Sequence, residues 1–249
     1  MEYNKSPYRL IPEELYNNYT LNNKIPIIDK YYDGTNDLLN NTWSNEYILK
    51  YKNEYSINNI NNNNVKNEPY NNASKMLLYS FQKYNLNHKN IAVLGSTAPW
   101  IEGILLNLNC NITTIDYNIP INDTNLLNIE SYNDFINNNN KYDVIVSYSS
   151  IEHSGLGRYG DTLNPNGDLE TMTHIYNNLI DNGLLILGVP VGKDILVWNA
   201  HRIYGKIRLP LLFKNFKELD WIGFNKSKIL SQTKLKNIVK QPVIVLQKQ

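Results

Sequence analysis

Four short apolar runs, each closing on a residue suited to a turn, constrain this chain more than anything else in it. IAVL (Ile91–Leu94) stops at Gly95, and NITTID stops at Asp116. YDVIVSY (Tyr142–Tyr148) stops at Ser149 and Ser150, and GLLILGVPVG extends from Gly183 to Gly192. Runs of this length and composition are the mark of strands buried on both faces, as parallel sheets require. Helical patterns lie between them: Leu77, Phe81 and Tyr84, then Ile101, Ile104, Leu105 and Leu108 behind Pro99, then Leu169, Met172, Tyr176 and Leu179. Alternation of this kind implies right-handed crossovers and one core. The fold class is α/β, a Rossmann-like, doubly wound and mostly parallel sheet.

Finer expectations follow. The stretch Leu126–Ile136 holds a short strand and a helix, Gly183 caps a helix end in the left-handed conformation, and a helix runs from Ala200 to Ile207. Strands near Leu219–Phe224 and Val243–Leu246 finish the chain. Residues 1–70 show no clear period and read as an irregular cap of short helices and loops, leaving 71–249 as the α/β domain. Asparagine occupies 43 of the 249 positions, and its runs at Asn58–Asn64 and Ile136–Asn140 fall between periodic segments. They read as surface loops rather than as a phase-separating tract.

Several function classes drop out. Lys and Arg number 24 against 23 Asp and Glu, a net charge of +1, so the chain as a whole is no polycation for nucleic acid. Its single cysteine, Cys110, excludes an internal disulfide framework and a cysteine-cluster zinc site, and reads as core filling. The longest apolar run is half of the roughly 20 residues a spanning helix needs, and the first residues lack the apolar centre of a secretory signal. A soluble, cytoplasmic protein is expected, of unassigned oligomeric state.

In a doubly wound sheet, ligands gather beyond the carboxyl ends of the strands. The turn after the first strand reads GSTAPW, with Thr97 and Trp100 where a dinucleotide-binding G-x-G-x-x-G would have glycines, which argues against NAD or FAD. S-adenosylmethionine has no pyrophosphate and tolerates a bulkier turn, while still using a strand-end acid for its ribose. Asp116 lies about 20 residues past Gly95, where that acid is expected. The expected cofactor set is Gly95, Ser96, Thr97, Asp116, Tyr117, Ser149 and Ser150.

The loop after Tyr148 packs Glu152, His153, Arg158, Tyr159, Asp161 and Asp168 among four glycines. Polar groups that dense at a strand end suit an acceptor site, with His153 placed to take a proton from a hydroxyl. The spacing of its acids matches no fixed metal motif, so no metal is assigned. WNAHRIYGKIRLP adds His201 as a second candidate base, with Arg202, Tyr204 and Arg208 as acceptor-binding groups; the competing reading there is a solvated amphipathic helix. Charge divides along the chain. Glu102–Asp181 holds 11 acidic and 2 basic residues, whereas Lys193–Gln249 holds 3 acidic and 12 basic ones. That split favours an anionic acceptor, such as a nucleotide sugar or lipid-linked glycan, or a peripheral membrane contact.

YDVIVSYSSIEH, followed after a helix by NLIDNGLLILGVP, resembles class I methyltransferases, whose fourth strand often ends in an "EH" segment. More narrowly, VLGSTAPWIE, SSIEHSGLGRYGDTLNPNGDLE, VPVGKD and NAHRIYGKIRLPLL are similar to a domain-of-unknown-function family first catalogued in nematode proteins. The resemblance runs from Ile91 to about Phe224 and implies a methyltransferase-like fold with no settled reaction. Two functional readings stand. One is methyl transfer from S-adenosylmethionine to a small hydroxyl acceptor such as a sugar or nucleotide sugar. The other is an inactive methyltransferase-like fold that binds a nucleotide or glycan as an assembly module.

Overall fold

A computed structural model describes residues 7–35, 42–231 and 239–249, so Lys234 and Lys236 of the basic C-terminal segment lie outside the described residues. The first elements are α1 (Glu13–Tyr19), β1 (Ile27–Lys30), β2 (Thr42–Ser44), α2 (Asn45–Glu54), α3 (Ile57–Asn61) and α4 (Ala73–Lys83). Next come β3 (Asn90–Leu94), α5 (Trp100–Leu106), β4 (Asn111–Asp116), β5 (Ile121–Asp123), β6 (Asn128–Ser131), α6 (Tyr132–Asn137) and β7 (Tyr142–Tyr148). The chain ends with α7 (Gly167–Asn178), β8 (Leu179–Gly188), β9 (Ile195–Asn199), β10 (His201–Ile203), α8 (Leu209–Leu212), β11 (Phe216–Ile222), α9 (Lys226–Leu230) and β12 (Val243–Lys248).

The main sheet has the order β11-β12-β8-β7-β3-β4-β6. The five strands from β8 to β6 run parallel, and β12 and β11 continue antiparallel. Each of the four apolar runs supplies one of the parallel strands β3, β4, β7 and β8. They are buried on both faces because helices cover both. On one face Leu77 and Phe81 of α4 and Ile101 and Ile104 of α5 pack with Val93 and Val146. On the other, Phe135, Met172, Ile175 and Leu209 pack with Ala92, Ile145 and Leu187. The short strand and helix expected over Leu126–Ile136 are β6 and α6, the helix opened by Ser131, whose hydroxyl accepts from the Asp134 N–H.

The structure corrects the sequence reading in four places. No helix spans Ala200–Ile207: β10 pairs antiparallel with β9, and both join β1 in a small sheet of order β1-β9-β10. Buried Arg202, Ile203 and Tyr204 are consecutive, a pattern that tertiary burial on both sides explains and helical amphipathicity does not. Gly183 does not cap a helix, because α7 ends at Asn178 and the left-handed residue is Asn182, within β8. Four of the seven residues of the Asn58–Asn64 run lie in α3, with Ile60 buried as its anchor. Residues before 71 also contribute strands, β1 and β2, and Trp43, Ile48 and Tyr55 belong to the same hydrophobic cluster as α4 and α5. There Gly103 allows α2 to cross α5 closely, since a Cβ would come within 2.8 Å of the Tyr51 carbonyl carbon. Among the described residues, no helix is long and apolar enough to cross a membrane.

Candidate functional site

The chain leaves β3 for β4 and β6 on one side and reaches β7 and β8 on the other. The carboxyl ends of β3 and β7 therefore diverge and open a crevice at the switch point. Gly95 turns out of β3 with φ +79°, and a Cβ there would collide with the Ser150 hydroxyl, so this approach needs glycine. Ser149, at the end of β7, takes φ +57°, an uncommon conformation for a side chain other than glycine. Such strain, on the order of 1 kcal/mol, persists where surrounding structure enforces it.

The crevice encloses about 820 Å³ of open space, mouth included. Nine of the residues expected from the sequence line it: Gly95, Thr97, Asp116, Tyr117, Ser149, Ser150, His153, Tyr159 and Asp161. Leu94 and Ile115 add apolar wall, and Asn118, Tyr132, Ser154 and Thr171 add polar groups that the sequence reading missed. Among the described residues, no lysine or arginine lines it. Asp116 stands at the end of β4, its Oδ2 accepting from the Ser96 N–H (3.1 Å) and its Oδ1 from the Asn118 N–H (3.0 Å). Each oxygen retains acceptor capacity for a ligand hydroxyl. Burial raises the Asp116 pKa against the pull of these backbone bonds.

Ser96 lies beneath the crevice rather than in its wall. Its hydroxyl is 3.1 Å from Glu102 Oε2, and Glu102 Oε1 accepts from the Thr114 hydroxyl (2.8 Å). Glu102 is fully buried, which pushes its carboxyl up to about 7. Tyr117 stacks on Tyr132 with 4.3 Å between ring centroids, and the Tyr132 hydroxyl meets His174 Nδ1 at 2.9 Å. Trp100 packs in the core against Tyr148, and Cys110 is buried as expected.

His153 Nδ1 lies 2.6 Å from the Ala200 carbonyl, which can only accept, so Nδ1 carries the proton and Nε2 is a bare acceptor. Burial drives the His153 pKa down to about 3, leaving the ring neutral. Nε2 is 3.9 Å from Glu152 Oε1. Glu152 sits behind Ser149, whose hydroxyl donates to Oε1 (2.9 Å), while Oε2 is buried with no partner. Burial raises this carboxyl to about 7. Neighbouring groups pushed in opposite directions are a common sign of acid–base chemistry.

Asp161 accepts from the N–H groups of Gly155 (2.8 Å), Gly157 (3.2 Å) and Tyr159 (3.3 Å), so it folds the loop as well as facing the crevice. The other expected acceptor residues are elsewhere. Asp168, Arg202, Tyr204 and Arg208 are at most 3% exposed and form one ion network under the loop. Arg208 grips Asp168 through Nη2 (2.5 Å) and Nε (2.8 Å), Arg202 Nε lies 3.6 Å from it, and the Tyr204 hydroxyl donates to it (3.0 Å). Arg202 also donates to the Ser154 carbonyl (2.7 Å), clamping the loop onto β10. Burial opposes ionisation of Asp168, yet the two guanidinium groups hold its carboxyl below the ordinary value. Both arginines are thus spent on the protein itself, and three guanidinium groups facing one cavity is not what the fold builds. Arg158 does not line the crevice but lies over the ring of Tyr159, which does, 5.0 Å from its centroid, and the His201 ring is 6.3 Å from that of His153. Among the described residues, no three His, Cys, Asp or Glu side chains gather closely enough to hold a metal ion.

The architecture recurs in solved structures. The 1,6-didemethyltoxoflavin-N1-methyltransferase of Burkholderia thailandensis, with 1,6-didemethyltoxoflavin and S-adenosylhomocysteine bound, superposes with a TM-score of 0.52 at 10% identity, over 83% of this chain and 91% of that one. An S-adenosylmethionine-dependent methyltransferase from Clostridium acetobutylicum gives a TM-score of 0.46 at 11% identity, over 70% and 89% of the two chains. The fold is that of the class I methyltransferases. No curated protein sequence matches this one. The family profile described as Caenorhabditis protein of unknown function, DUF268, matches residues 88–248, and the chain belongs to that family.

Proposed function

We propose that this crevice binds S-adenosylmethionine and that the protein transfers its methyl group to a small hydroxyl acceptor. The observation that carries the reading is Asp116, at the end of β4 facing the Gly95 turn, with both oxygens oriented by backbone N–H groups and still able to accept. The fit is also electrostatic. Among the described residues, the wall presents Asp116 and Asp161 with no cationic side chain, which suits a ligand that carries a sulfonium. Asp116 and Tyr117 would hold the ribose and the base, and Ser149, Ser150 and Thr97 the polar tail.

When bound, the cofactor supplies a methyl group activated by the positive sulfur. The chain's own residues then have two tasks. The first is to hold a hydroxyl in line with that methyl, for which the bare Nε2 of His153 is the acceptor. The second is to hold the proton that the hydroxyl releases. His153 Nε2 receives it, and Glu152 alongside, ionised above its raised pKa of about 7, stabilises the resulting imidazolium. His201 takes no part in that transfer, being outside the crevice wall.

Calorimetry with S-adenosylhomocysteine tests the reading, with NAD and a UDP-sugar as controls. We expect binding of the first only, weakened by about 1.5–3 kcal/mol in Asp116→Ala, as for hydrogen bonds to a charged group. His153→Gln should keep that affinity and slow methyl transfer by roughly 10²-fold. Affinity for a UDP-sugar without S-adenosylhomocysteine binding would instead favour the assembly-module reading.

A further inference from the structure

At the His153 edge of the crevice, the segment after β1 and the loop after β7 build a corner that methyl transfer as described does not use. The Tyr32 N–H donates to Asn199 Oδ1 (2.8 Å), Asn199 Nδ2 donates back to the Tyr32 carbonyl (2.9 Å), and the Gly34 N–H donates to the Arg158 carbonyl (2.9 Å). Asn199 is fully buried, so the backbone of this strap is held at both ends. The Arg158 guanidinium lies 4.9 Å from the Tyr32 ring centroid and 5.0 Å from that of Tyr159. Its Nη1 donates to the Ala200 carbonyl (3.3 Å), the same oxygen that orients His153, and its buried Nε has no partner.

A second cation shares the corner. Lys30 Nζ lies 5.1 Å from the same Tyr32 centroid. Among the described residues, neither Lys30 nor Arg158 has a carboxylate within ion-pair distance. His201 completes the group: behind burial, Arg158 and Lys30 are what depress its pKa. Two cations on one ring repel each other, and cation–π contact offsets this only in part. Lys83, Lys89 and Lys226, by contrast, each meet an acid. An oxyanion within reach of both Lys30 and Arg158 beside His201 would neutralise both and take charge-assisted donors from each.

We propose that Lys30, Arg158 and His201 form a subsite for a carboxylate or phosphate carried by the acceptor. The claim that this molecule is methylated rests on the reading above; the anion site itself does not. The 6.3 Å between the His201 and His153 rings places the anionic group a few bonds from the reacting hydroxyl, as in a hydroxy acid or a sugar phosphate. The crevice and this corner thereby divide the charge, acidic walls for a cationic cofactor and a basic corner for an anionic acceptor.

The test is an NMR titration of the histidine side chains in the full chain, saturated with S-adenosylhomocysteine, using inorganic phosphate and, separately, acetate. The His201 ring signals should shift saturably with at least one anion. Phosphate alone assigns a phosphate ester, and acetate alone a carboxylate. Lys30→Gln, an exposed position that should not disturb folding, should weaken the apparent affinity about threefold, and Arg158→Gln more strongly. Neither variant should alter affinity for S-adenosylhomocysteine. Absence of a saturable shift with both anions, or one indifferent to Lys30→Gln, overturns the subsite. Failure of S-adenosylhomocysteine to bind would strike the cofactor reading instead, and the anion titration would then be run without it.

Discussion

Glu102 is a fully buried carboxyl, held by two hydroxyls beneath the Gly95 turn and raised by burial from 4.5 to about 7. A folded-state pKa above the unfolded one means the native state holds the extra proton. The group's contribution is complete below about pH 4.5 and is lost as pH rises through 7. Glu152, raised to a similar value, acts in the same direction. His153 acts oppositely: its pKa is depressed from 6.5 to about 3, so its contribution is present above 6.5 and is lost as pH falls toward 3. Comparing a variant with the parent at each pH cancels the other two groups. Glu102→Gln should therefore gain stability relative to the parent between pH 5 and pH 8, by up to about 2–3 kcal/mol. Urea titrations at the two pH values check this, and an unchanged difference would show that Glu102 is ionised alike in both states.

The loop from Glu152 to Asp168 is long, glycine-bearing and polar, yet it has a defined shape because of what lies under it. Asp161 ties its first turn from within, and Arg202 on β10 and Arg208 before α8 pin its end through Asp168 and main-chain carbonyls. Removing one member of such a buried network leaves buried charges unpaired. Asp168→Ala should cost about 3–5 kcal/mol in urea unfolding, with two arginines stranded. Its effect on acceptor use should track loop order rather than charge, so salt should not rescue it. The expectation of a helix over Ala200–Ile207 failed at this element. Its eight residues would make little more than two helical turns, and only pairing with β9 decides that His201–Ile203 are a strand.

At the scale of the molecule, the N-terminal residues are integral to packing. α2 crosses α5 over Gly103, and β1 pairs in parallel with β9 from Ile27 opposite Leu196 to Lys30 opposite Asn199. A chain beginning at residue 71 would expose the α5 face and one edge of β9 together. It should lose the cooperative thermal transition and self-associate, measurable by circular dichroism and size-exclusion chromatography. A cooperative monomer would show instead that residues 71–249 hold the core alone.

The strands at the centre of the sheet were legible because a strand buried on both faces has to be apolar throughout, and IAVL and YDVIVSY can be little else. For the same reason, the strand-end residues Gly95, Asp116, Ser149 and Ser150 could be named before any geometry was known. Parallel topology alone delivers their side chains to one crevice. The roles of charged residues were not legible. Arg158, Arg202 and Arg208 have the same chemistry in the sequence, and only the fold buries two of them against Asp168 and leaves the third against Tyr32. Nor could sequence join Lys30 to Arg158 or Tyr132 to Tyr117, pairs brought together by strand order and not by spacing. Hydrophobic burial is a local demand that each residue meets by its own type, so the sequence determined the core. Electrostatic pairing depends on which segments meet in space, so the tertiary structure decided the site.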